Sequence, residues 1–181
     1  MNQEMHKHQG MKMSYGTFAG MIATSMVVMY GLMYLNTFEF SHVRWSETRL
    51  YMTFIMGAAM AVIMLSFMRG IYSYRYRNLA IYIGSLVVFL VALFLVRSQI
   101  LVGDSSYMRA MIPHHSIAIL TSENAQIEDV RVRELANEII ESQRREIEEM
   151  NWLLADIAEN DIASTQEQAD ARPVPEFGSE P

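Results

Sequence analysis

The stretch MRAMIPHHSIAIL, residues 108–120, gathers two thioethers and two imidazoles in a chain of 181 residues that holds sixteen methionines and no cysteine. At helical spacing Met108, Met111 and His115 fall at i, i+3 and i+7 and so share one face. Thioether and imidazole are soft to intermediate donors that suit Cu(I), and a thiol-free set fits an oxidising compartment, where a free cysteine would be lost. Adjacent helical residues diverge by about 100°. His114 and His115 therefore face one centre only if the bend expected at Pro113 helps them. Met111, His114 and His115 are the leading candidate ligands, with Met108 and Met150 as supporting thioethers. The paired Glu-x-x-His motifs of a di-iron bundle are absent, and zinc would call for more converging His or carboxylate groups.

These side chains must be carried by helices, and the chain divides sharply into two parts. Residues 1–103 hold eight Lys/Arg and three acids, whereas residues 104–181 hold six and seventeen, for a net charge of −6. An acidic half repels phosphate, and the basic residues of the other half flank apolar runs, so nucleic acid is not an expected partner. Segments 15–35, 50–68 and 79–96 carry no charged side chain. At 1.5 Å per residue each is long enough for a hydrocarbon core of about 30 Å. The chain thus reads as all-α, with three transmembrane helices in a lipid bilayer. The first run is too long for a cleaved signal peptide, lacks a clear cleavage site and is followed by two more spans.

Arg69, Arg75 and Arg77 crowd the second connection without an acid, which places it in the cytoplasm by the excess of positive charge. The N-terminus, with Lys7 and Lys12, then lies inside, and three crossings leave residues 104–181 outside. That is the periplasmic side if the host has an outer membrane. Methionine is distributed unevenly. Met21, Met26, Met29 and Met33 lie in the first span, Met52, Met56, Met60, Met64 and Met68 in the second, and none in the third. Steps of four residues keep Met56, Met60 and Met64 on one face, either as flexible filler or as a ladder of soft donors. Residues 1–14 form a His/Met-rich segment that adds Met5, His6, His8, Met11 and Met13, a compositional hint of metal binding.

After Gly103, the capping residues Asp104, Ser105 and Ser106 introduce a periodic helix to about residue 124. Asp129 caps a second helix to about 158, with apolar positions Leu135, Ile139, Met150, Leu153 and Ile157. Gln143 and Glu146 interrupt that stripe and require a polar partner inside. Residues 159–181 are polar and aperiodic and read as a disordered tail. The organisation is therefore 1–14, the transmembrane region 15–96, a metal-binding hairpin 104–158 and the tail.

The motif YMRAMIPHHSIAIL followed by VRELANEIIESQRREIEEMNWLL resembles the domain of unknown function numbered three hundred and five. This family is ferritin-like and helical, marked by an M-x-P-H-H core and a second helix ending in E-I-x-x-M. The matching residues are Met111, Pro113, His114 and His115, then Glu146, Ile147 and Met150. The resemblance covers 104–157, and 15–96 is similar to the three-span extension of some membrane members. It implies copper binding or copper tolerance outside the cytoplasm through His and Met, and it implies no catalytic activity, so the chain is not expected to be an enzyme. Many members carry the helical unit twice. One copy makes a ferritin-like half bundle of about 54 residues, small for a self-standing core, so a homodimer that completes a four-helix bundle is expected. The expected function is a membrane-anchored protein that sequesters or hands over Cu(I). The alternative is a structural or interaction subunit whose hairpin binds a protein partner.

Overall fold

A computed structural model describes residues 14–177, and the N-terminal segment singled out above lies outside the described residues apart from Ser14. The chain is helical throughout this range: α1 Tyr15–Leu32, a 3-10 turn Phe40–His42, α2 Glu47–Phe67, α3 Arg75–Ser98, α4 Asp104–Asn124, α5 Val130–Asn160 and α6 Gln166–Asp170. Three of these, α1, α2 and α3, are long and apolar enough to cross a membrane, which marks the chain as a membrane protein. It divides into two compact units. One contains the described residues through Gly31 together with Leu50–Ser98, and the other contains Leu32–Arg49 and the chain from Gln99 on.

In the first unit α2 supplies the contact surface. Its residues Gly57, Ala58, Ala61 and Leu65 are buried, and Phe18 of α1 and Tyr72 join the core that Ala61 and Leu65 build. Gly57 is small for a reason: a Cβ built there would overlap the Met26 sulfur. The pattern Gly57-x-x-x-Ala61 thus admits a neighbouring helix closely, whereas among the described residues nothing lies within 4 Å of a Cβ built at Gly20. Replacing Gly57 with valine forces Met26 and α1 outward. Overpacking of this kind costs about 1–3 kcal/mol, and the expected result is a lowered unfolding temperature of the helical signal in detergent.

In the second unit α4 and α5 form the hairpin. Asp129 caps α5 as expected, accepting from the Arg131 N–H at 2.9 Å. Arg133 closes the turn by donating to the carbonyls of Ser122 at 3.0 Å and Ala125 at 2.6 Å. At the start of α4 the residue outside the helix is Gly103, with no side-chain cap, and Asp104 is already helical. There the carboxylate favours the positive helix end through its charge rather than through a capping bond. Ser106 donates instead to Glu47 Oε1 at 3.2 Å.

Two further segments pack on this hairpin. The first is the connection 33–46, which meets α4 at Ser116 and α5 at Asn151. The second follows α5. Where aperiodic composition points to a disordered tail, residues 159–177 complete α5, then form α6 behind a capping box of Thr165 and Gln168. Arg172 returns to Asp156 at 2.6 Å, with one quarter or less of each side chain exposed. The polar residues of this stretch are spent on caps and ion pairs, which a search for apolar periodicity does not register.

Candidate metal centre

The antiparallel hairpin places α4 and α5 in register, and His115 fixes that register. Its Nδ1 lies 2.9 Å from Glu146 Oε2. Among the described residues this buried nitrogen has no partner in hydrogen-bond geometry, so the contact is close without being a directed hydrogen bond. One turn back along α4 is one turn forward along α5, so Met111 stands at the level of Met150. Both belong to the apolar layer built on Met108, Ile112, Ile119, Ile147 and Met150, against which Met111, Ile140 and Leu153 pack. Met108 is 6% exposed and Met150 9%.

The candidate residues are therefore not equivalent. Three thioethers from two helices, Met108, Met111 and Met150, share one layer. His115 sits beside that layer with 12% of its side chain exposed. His114 is exposed, and its ring centre is 6.0 Å from that of His115 at an interplanar angle of 62°. Pro113 stays inside an unbroken α4, fully buried, and the two rings keep the divergence that helical geometry dictates. Among the described residues no three His, Asp or Glu side chains are gathered to hold a metal ion. A donor set here has to be built on sulfur with one imidazole, and that composition fits a soft monovalent ion better than zinc.

Burial holds the His115 ring below its ordinary value of 6.5. Glu146 opposes this and His114 adds to it, but desolvation is the largest effect. The neutral imidazole keeps a lone pair, and a carboxylate 2.9 Å from Nδ1 is close enough to take up that N–H when the ring meets a metal through Nε2, the outer bond that orients metal-binding histidines. Glu146 thus answers the requirement for a polar partner in the α5 stripe. It also accepts from Ser142 Oγ at 2.8 Å.

A second cluster escaped the sequence. Ser116, wholly buried, accepts from the Phe38 N–H at 2.7 Å and lies 2.9 Å from His42 Nδ1. Giving Ser116 one acceptor and one donor role leaves the His42 proton on Nε2, which faces Glu39 at 3.8 Å. Arg144 covers the Phe38 ring at 5.3 Å and pairs with Glu123 at 2.7 Å, while Arg44 donates to Asn151 at 3.3 Å. The connection 33–46 is thereby pinned to both helices of the hairpin. His42 lies in its centre, and its sequence signal was no more than a histidine between Glu39 and Arg44.

Burial is also the main reason His42 sits below 6.5, with Glu39 opposing and Arg44 and Arg144 reinforcing. Both histidines therefore bind protons less readily in the folded chain than in the unfolded one. In the window from 6.5 down to their folded values the unfolded chain takes up more protons, so stability falls as pH falls. The expected result is a drop in the unfolding temperature of this unit below pH 6.5. Both tryptophans of the chain, Trp45 and Trp152, belong to this unit and report it by fluorescence. A His42→Gln variant should show a flatter profile; an identical one would remove His42 from the account.

Residues 104–178 match the family model described as "Domain of unknown function (DUF305)". A relative from Acanthamoeba polyphaga mimivirus, named "Uncharacterized protein L153", is 38% identical over 72 residues, which is 39% of this chain and 47% of the relative. The chain thus spans about half the length of that relative. No solved structure matches.

Proposed function

We propose, from the match of residues 104–178 to the DUF305 family model and from the site above, that the protein is a membrane-anchored Cu(I)-binding protein that sequesters or hands over copper outside the cytoplasm. The observation that carries the proposal is the neutral His115, partnered by Glu146 and set beside a layer holding Met108, Met111 and Met150. Thioethers and one imidazole are neutral donors suited to a soft d10 ion. His115, Met111 and Met150 would hold the ion, with His114 available from the exposed side. The role is binding and transfer rather than turnover.

The test is a titration of the purified full chain with Cu(I) against a chromophoric Cu(I) chelator. Saturable removal of copper from the chelator is expected, and failure to compete at any protein concentration would refute the proposal. The burial of Met108 and Met150 favours the second reading, a structural or interaction subunit in which these thioethers only pack. That reading predicts the failure.

Placement outside the cytoplasm rests on Arg69, Arg75 and Arg77 in the second connection. A periplasmic-type reporter fused at position 160 should be active and a cytoplasmic-type reporter silent. The reverse pattern overturns both the topology and the compartment. A homodimer is part of the proposal as well. The connection 33–46 and the C-terminal segment cover part of the hairpin from within the chain, yet Val130, Val132 and Leu135 at the start of α5 remain exposed. A second chain is the cover proposed for them. Mass measurement in detergent, with and without Cu(I), should give two copies; one copy in both states removes the dimer.

A further inference from the structure

Methionines in the first two long helices divide by what they touch. Met26 packs its sulfur on Gly57 and serves the helix contact. Four others, Met21 and Met29 of α1 with Met60 and Met64 of α2, line a single open groove of about 830 Å³, together with the hydroxyl-bearing Thr17 and Ser25. None of the four is fully exposed or fully buried. Met21 and Met64 both pack on the core of Phe18, Ala61, Leu65 and Tyr72, which brings their side chains to the same end of the groove. Met60 follows Met64 by one helical turn, and Met29 lies two turns from Met21. Two antiparallel helices thus present thioethers at successive levels of one surface.

Ordinary packing does not require this. Helix α3 is equally suited to a bilayer and contains no methionine, filling its length with Leu, Val, Ile and Phe. If methionine were needed only as adaptable filler, the groove-facing positions would tolerate the same residues. A groove within an apolar helix pair also excludes hard ions, which lose more hydration than neutral sulfur and hydroxyl groups return. A large, weakly hydrated d10 cation is the species whose preference for thioether sulfur offsets that loss.

The geometry points to a second soft-metal site in this groove, separate from the hairpin, that takes Cu(I) or Ag(I) through Met21, Met60 and Met64, with Met29 as the next donor along α1. It does not depend on copper binding by the hairpin. Neutral donors leave the charge of the ion uncompensated, so the groove suits brief occupancy and passage more than storage.

Ag(I) is the probe, since it shares the coordination preference and undergoes no redox change under these conditions. The full chain in detergent is titrated as wild type, as Met60→Leu/Met64→Leu, and as Met26→Leu. The double variant should take up about one Ag(I) fewer per chain, while Met26→Leu should match wild type. The X-ray absorption of silver lost in the double variant should show sulfur neighbours without the imidazole signature. A combined Met111→Leu/His114→Ala/His115→Ala variant should keep the groove ion, so failure at the groove and failure at the hairpin are read separately. Unchanged Ag(I) uptake in a double variant that retains its helical signal would overturn the inference. An equal loss in Met26→Leu would also overturn it, because packing rather than groove sulfur would then carry the effect.

Discussion

Cu(I) affinity of the full chain is expected to fall by more than about a hundredfold when Met111→Leu, His114→Ala and His115→Ala are combined. Loss of even the outer partners of a metal ligand costs about 10–100-fold, and this variant removes ligands themselves. The single variants should be unequal. His115 is largely buried beside the thioether layer and next to Glu146, whereas His114 is exposed. His115→Ala should therefore carry most of the loss, and His114→Ala little. Met111→Leu preserves side-chain volume, so a fall in affinity without a change in unfolding temperature assigns it to lost sulfur rather than to packing. Glu146→Gln should weaken binding by about 10–100-fold if it orients the ring. Chelator competition measures each case. Equal affinities across the tightest binding phase of all these variants would remove the hairpin site, and equal losses for the two histidines would contradict their unequal burial.

Ser116→Ala is expected to destabilise the second unit by about 2–4 kcal/mol, large for the removal of a single oxygen. The hydroxyl serves two partners more than seventy residues away in sequence, the Phe38 N–H and His42 Nδ1. Deleting it strands both where water has little access, at about 1–3 kcal/mol for each unsatisfied group. Ser116→Thr retains the oxygen and should recover most of the loss if its methyl group is accommodated. Thermal unfolding followed by tryptophan fluorescence is the measurement, because Trp45 sits on the pinned connection and Trp152 on α5. A shift in both variants of less than about 0.5 kcal/mol, the range of ordinary surface changes, would show that the connection is held by something else.

The three apolar helices and the hairpin were legible because each announces itself locally. Uncharged runs of bilayer length mark α1, α2 and α3, and Asp129 before a long amphipathic stretch marks α5. The candidate residues Met108, Met111 and Met150 were legible by the same periodicity and do share a layer. The inequality of His114 and His115 follows from helical geometry, since α4 runs through Pro113 without a break. The pinned connection was not legible. Ser116, Phe38 and His42 meet across 74 to 78 residues, and such a contact leaves no period in either partner. The C-terminal segment was half legible. Thr165-x-x-Gln168 is the capping-box spacing and could have announced α6, but the return of Arg172 to Asp156 is again a distant pairing.

The link between Phe38 and Ser116 also sets an order of events during synthesis. Phe38 is made 78 residues before the hydroxyl it will donate to. At about 5–20 residues per second the wait is about 4–16 s. In that interval α2 and α3 are synthesised and the connection 33–46 has no hairpin to dock on. Its exposed Phe40 and Trp45 and its half-buried Phe38 are then open to other chains at the same stage. A nascent chain stalled before α4 presents an aromatic loop that the finished protein keeps partly covered. Glu39 and Arg44 keep that loop charged while it waits, and Glu47 and Arg49 do the same at the start of α2.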